Sequence, residues 1–286
     1  MIDFHTHPVL IREIVESHPE QMRATREVFH IGNNLQPIDT FLLQMDVAGI
    51  EKSVLLPIDC ASRTGVSIST NEIVAALCEK TDRFIGFASV DPNDPKAPEH
   101  LEKGIKELNL KGLKLSPATQ GFDPTDRNLA FPVYEKAEQL GIPVIFHAGM
   151  SWEPETKLMP GHPGRLEEAA TEFPELNIVI AHFGWPWVLE SVALSLKYKN
   201  IFIDTSCLYF DSPAEFLRFV MSHQIPITVV ERSLRWKLLF GSNYPRVEIK
   251  NMVKAVRSLG LTDGCLDLIF QKNAEKLLAQ KTPVKL

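Results

Sequence analysis

The chain has 286 residues, 44% of them hydrophobic, with a formal net charge of -6 and a pI near 5.9. The acidic balance argues against nucleic acid or an anionic membrane as the main partner. No apolar run approaches the length of about eighteen residues that a membrane helix needs, and the chain reaches MIDFHTH at once where a signal core would sit. Its four cysteines, Cys60, Cys78, Cys207 and Cys265, form no C-x-x-C pair, so they are expected to be reduced thiols of a cytoplasmic protein.

Short β-branched runs alternate along the chain with amphipathic stretches, the pattern of βαβ units. Eight strands are predicted: Ile2–His7, Ser53–Ile58, Phe84–Val90, Gly112–Ser116, Pro143–His147, Asn177–His182, Ile201–Thr205 and Leu238–Ser242. Runs such as Val144-Ile145-Phe146 are apolar throughout, as strands covered on both faces are. Helices are predicted over Thr40–Ala48, stopped by Gly49, over Asn71–Lys80, and from Pro132 to just before Gly141. Others are expected near 96–108, 164–173, 187–198, 213–223, 247–258 and 263–279. Eight alternations in one chain predict a single (β/α)8 TIM barrel spanning residues 1–286, an open doubly wound sheet being the alternative. The stretches from Pro8 to about Pro37 and from Gly149 to about Pro163 are expected as long active-face loops.

The chemistry gathers at strand ends. His5 and His7 are two apart on the first strand and so share one face. A lone H-x-H is weak, because either ring could be an ordinary buried histidine. Strand five, however, ends in His147, strand six in His182, and strand eight in Ser242-Asn243-Tyr244-Pro245; strand four carries Lys114. Three imidazoles plus an open position make a catalytic zinc site, and His5, His7 and His147 supply such a set.

With these motifs, DFHTH, KGLKLSP, IPVIFHAG, IVIAHFGW, IFIDTS and FGSNYP, the chain resembles the amidohydrolase superfamily. It is most similar to the amidohydrolase-related branch that includes aminocarboxymuconate-semialdehyde decarboxylase and lactone hydrolases. The resemblance implies His5, His7 and His147 as ligands of one divalent metal, zinc or alternatively manganese, and His182 as acid/base. It implies a strand-eight Asp that binds metal and takes a proton, but here that position is Asn243, which has no charge and accepts no proton. Losing such a base costs about 10²–10⁴-fold in rate. A strand-four lysine is carbamylated in some branches, which would be Lys114 here; pairing with a substrate carboxylate or with a neighbouring Asp is the simpler reading.

Trp152 and Arg63 are expected to bind substrate, with Arg165 and Tyr244 on the same face. Asp204 is placed to orient a histidine. Asp59 and Asp91 are read as turn residues, and His162 as a histidine without a metal role. The primary expectation is a hydrolase that cleaves a small-molecule amide, lactone or ester with metal-activated water. A nonoxidative decarboxylase of an aromatic or muconate-type acid and an altered barrel weakened by Asn243 are the rivals. The branch also implies a homodimer, by analogy alone.

Overall fold

The computed structural model describes residues 1–279; residues 280–286, included in the single-domain expectation, lie outside the described part. The strands are β1 Ile2–Thr6, β2 Lys52–Leu55, β3 Phe84–Gly86, β4 Ala88–Ser89, β5 Leu113–Leu115, β6 Val144–Phe146, β7 Ile178–Ile180, β8 Ile201–Asp204 and β9 Leu238–Leu239. All neighbouring pairs are parallel, in the orders β1-β2-β3 and β4 through β9. The predicted third strand is thus broken at Phe87. Its N–H donates to Leu55 O at 3.1 Å, and its ring meets Phe4 edge-on at 5.6 Å, so β3 and β4 occupy one strand position. The first and last strands are joined by Phe4 N–H to Phe240 O at 2.8 Å and Asn243 N–H to His5 O at 2.9 Å. The result is the expected eight-position barrel.

Alternation along the strands divides the core. Val54, Phe87, Ile145, Val179, Phe202 and Leu239 pack in one buried cluster. Their neighbours Val144, Phe146, Ile178, Ile180, Ile201 and Ile203 pack in a larger one, with the helices around the barrel. His147 shares its parity with Ile145, and Asp204 with Phe202, so the alternation that builds the barrel also carries these polar groups inward. Lys114 lies between Leu113 and Leu115, both in the larger cluster, and takes the inner side for the same reason.

The helix predicted to stop at Gly49 spans Ile38–Ala48 and ends with Gly49 at φ 71°. That of Asn71–Lys80 is capped by the Thr70 side chain, which accepts from Ile73 N–H at 3.3 Å. Three expectations are corrected. The loop from Pro8 to Pro37 carries short helices at Arg12–Ser17 and Glu20–Arg23, then a turn over Ala24–Val28, because Ala24, Val28, Phe29 and Ile31 bury against Ile58, Val66 and Ile68. The helix expected over 213–223 is Pro213–Arg218 followed by a wide turn over Phe219–Gln224. The sixth strand stops at Ile180, and His182 sits in a tight turn with φ 57°, followed by Phe183 with φ 52°. Two successive non-glycine residues in the left-handed region are costly, and such strain is typical of a functional site.

Candidate active site

β1 presents His5, and the residue just past its end is His7; the register of the strand shifts between Asp3 and Thr6. His5 Nδ1 lies 2.7 Å from Asp204 Oδ2, and His7 Nδ1 lies 2.8 Å from Leu56 O. A carbonyl or carboxylate oxygen can only accept, so both rings carry their proton on Nδ1. Both Nε2 atoms are therefore lone pairs, and they stand 3.2 Å apart. Two lone pairs at that distance repel unless a cation lies against both. Burial, with the charge of Lys114 and neighbouring histidines, holds His5 and His7 well below the usual histidine pKa, so they are neutral imidazoles, the form that ligates a metal. The site's residues thus fit a divalent ion.

His182 completes a relay. Its Nδ1 is 2.7 Å from Ser206 Oγ and 3.2 Å from Ser206 O. The Ser206 hydroxyl donates to Asp204 Oδ1. Nδ1 is therefore the donor, and Nε2 of His182 is a free base. The His182 backbone N–H also donates to Asp204 Oδ1 at 2.9 Å, and that bond holds the strained turn in place. One carboxylate thus orients both His5 and His182, extending the orienting role expected for Asp204. The ligand atoms of His5, His182 and Asp204 lie within 4.8 Å of one another. That trio makes a poorer cation cage than the facing Nε2 atoms, because the carboxylate already accepts from His5, the His182 and Ser206 N–H groups and the Ser206 hydroxyl.

His147 joins the cluster, its ring 4.9 Å from that of His182, as His5 is at 4.8 Å. Burial and Lys114 bring His147 down to about 3. Its Nε2 donates to Met150 O at 3.2 Å, so its lone pair is on Nδ1. Met150 O also accepts from the Tyr209 hydroxyl at 2.5 Å. Asn243, at φ 64°, donates through Nδ2 to Cys207 O at 3.0 Å. Lys114 is 1% exposed and its Nζ has no hydrogen-bond partner; burial lowers it to about 7.

The cavity above this cluster is lined by His7, His147, His182, Lys114, Asn243 and Trp152 among others. Arg63 lies elsewhere: its guanidinium donates to Ala118 O at 2.8 Å and Thr119 O at 3.1 Å, which ties down the chain after β5. Arg165 is paired with Asp123 at 2.6 Å, and Tyr244 is buried on Phe41, ring to ring 4.6 Å. Asp91 accepts from the Asn93 N–H at 3.0 Å in a turn, Asp59 binds the Ser67 hydroxyl at 2.8 Å, and His162 Nδ1 accepts from Gly164 N–H at 3.0 Å. Sequence reasoning missed the two charged residues Glu153 and Arg246 of the cavity wall. Each lies within three residues of a position that it did single out, Trp152 and Asn243.

The amidohydrolase family model (Amidohydro_2) matches residues 2–280. A 2-keto-4-carboxy-3-hexenedioate hydratase of Sphingobium sp. is 24% identical over 226 residues, 68% of this chain and 60% of the relative. The chain therefore spans about 60% of that relative's length. Three solved structures share the fold. An uncharacterised TIM-barrel protein of Bordetella bronchiseptica has a TM-score of 0.77 at 24% identity, covering 98% of each chain. A probable 2-pyrone-4,6-dicarboxylic acid hydrolase of Acinetobacter baumannii, with citric acid bound, has 0.69 at 18%, covering 97% of this chain and 98% of that one. A 5-carboxyvanillate decarboxylase of Novosphingobium aromaticivorans, complexed with manganese, has 0.65 at 18%, covering 97% and 94%. Barrel, histidine cluster and a family match across nearly the whole chain agree: this protein belongs to the amidohydrolase family.

Proposed function

We propose that the protein is a metal-dependent hydrolase of a small-molecule amide, lactone or ester. The observation that carries this reading is the pair of His5 and His7 Nε2 lone pairs 3.2 Å apart, each fixed by an engaged Nδ1. His5 and His7 would hold a divalent ion, zinc or manganese, with His147 and the Asn243 side-chain oxygen as further candidates. Such an ion, when bound, supplies Lewis acidity toward water and the scissile carbonyl. His182 takes the proton of the attacking water on Nε2. Ser206 and Asp204 hold the ring in that tautomer and stabilise the charge it gains. Trp152, 50% exposed at the cavity mouth, covers the entering substrate.

Nonoxidative decarboxylation is the second reading. It is favoured by Asn243, which offers no proton acceptor beside the histidines. Decarboxylation requires a proton delivered to carbon, whereas His182 presents a lone pair; hydrolysis is therefore preferred. Metal analysis of the purified protein, followed by screens of lactones, esters and carboxylated phenols, tests both. Release of carbon dioxide from a phenolic acid would replace the hydrolase reading with its rival. A protein that holds no divalent metal and gains no activity from added zinc or manganese would overturn metal dependence. Asn243→Asp is expected to raise both metal affinity and rate.

A further inference from the structure

The chamber above the histidines holds two cations, Lys114 and Arg246, that close no direct ion pair among the described residues. Lys114 is 1% exposed, and its Nζ has no partner. Asp204 acts on it electrostatically without touching it, and a buried ammonium with no direct partner is costly unless a ligand supplies one. Arg246 lines the same cavity and also the outer cavity that opens from it past Trp152 and Leu208. Its guanidinium donates to Phe29 O and lies over the Phe29 ring, 4.4 Å from the centroid. That leaves the rest of a five-donor fork uncommitted, and a guanidinium fork fits a carboxylate in bidentate fashion. Both cations act electrostatically on His7 and on His147, so both belong to the chamber of the histidines.

The acids nearby are already engaged. Asp204 is bonded to His5, His182 and Ser206. Glu153, in the cavity wall, accepts from the Thr119 hydroxyl at 3.1 Å and from the Ser151 hydroxyl. It faces Arg246 closely enough to stabilise its charge, but among the described residues neither Arg246 nor Lys114 closes an ion pair. Glu153 therefore offsets part of the field and leaves both donor sets open.

We propose that Lys114 and Arg246 are two anion anchors, and that the substrate is a small organic acid with two carboxylates, one held at each. Lys114, on β5 beneath the cavity, takes the carboxylate nearer the histidines. Arg246, where inner and outer cavities meet, takes the outer one and aligns the scissile bond between them. The assignment of a reacting bond rests on the hydrolase reading above; the two anchors do not. Arg246 is on this view a specificity-determining residue: it selects diacids over monoacids of the same shape.

The test uses isothermal titration calorimetry of metal-loaded and chelator-stripped full-length protein. The probes are malonate, glutarate and isophthalate, each paired with its single-carboxylate counterpart, acetate, butyrate or benzoate. At least one diacid should bind about tenfold or more tighter than its monoacid, the scale of one charge-assisted contact. Arg246→Gln and Lys114→Met should each abolish that advantage, while Arg246→Lys retains part of it. Unchanged far-UV circular dichroism will show that the variants fold. No diacid advantage in the unaltered protein, or an advantage that persists in either variant, overturns the proposal. A preference that survives stripping and is lost in the variants supports the anchors even if metal analysis finds no ion, so failure of the metal reading and failure of the anchors are separate results.

Discussion

Replacing Lys114 by methionine should stabilise the metal-free protein. The side chain is 1% exposed with an unpartnered Nζ, and burial takes its pKa from 10.5 to about 7. Between these values the unfolded chain binds a proton that the folded chain does not, so stability climbs with pH across that window. At roughly 1.36 kcal/mol per pKa unit, the buried ammonium opposes folding by about 5 kcal/mol below pH 7. The penalty is about 4 kcal/mol at pH 7 and vanishes near pH 10.5. Methionine keeps much of the volume and removes the charge. Allowing for relaxation around the site, roughly 2 kcal/mol should survive at pH 7, a rise of about 3 °C in melting temperature. Thermal melts of chelator-treated protein at pH 6, 7 and 10 measure it: the gain should be largest at pH 6 and smallest at pH 10. A Lys114→Met protein that melts lower than its parent, or whose gain is the same at all three pH values, refutes the unpaired-charge argument.

Three further outcomes are expected. Asp204→Asn should weaken zinc binding by about 10–100-fold in a competition titration, because an amide no longer fixes the His5 tautomer; unchanged affinity would show that the carboxylate does not orient that ring. Gly161→Ala would place a Cβ 2.1 Å from Gly149 O and should cost about 3 kcal/mol or more, on the scale of overpacking at a rigid site. A denaturant midpoint equal to that of the unaltered protein would show that these two loops part easily. Adding zinc to stripped protein should raise the melting temperature as the ion joins the facing His5 and His7 lone pairs, the stabilisation being about 2.7 kcal/mol at a hundredfold excess over Kd. A His7→Ala variant that gains as much would place the ion elsewhere.

The strands and most helices were legible because burial imposes period two or 3.6 on the residues themselves. Val144, Ile145 and Phe146, a short apolar run set between Pro143 and His147, read as a buried strand and are one, and Gly49 is where its helix ends. Histidines at strand ends were equally plain. The lone-pair clash between His5 and His7 was not, because it depends on which oxygen each Nδ1 meets, Asp204 from 199 positions away and Leu56 from 49. Arg63 misled for the same reason: a guanidinium near a cavity and one tied to backbone carbonyls look identical in sequence, and contact with Ala118 O decided it. The early stop of the sixth strand was hidden because Ala181 continues the apolar run up to His182, while the turn at positive φ is held by the backbone bond to Asp204. The segment before Pro37 was read as loop because its apolar residues follow no single period; they bury against Ile58, Val66 and Ile68 instead.

The double use of Asp204 limits how this barrel can diversify. A substitution that retunes the basicity of His182 through the carboxylate also changes the electron density and angle of His5, so the proton carrier and the cation seat drift together or not at all. Arg246 and Trp152 are free of that coupling, since neither touches the carboxylate. New selectivities in this lineage should therefore arise at the rim of the chamber, while its floor stays inherited.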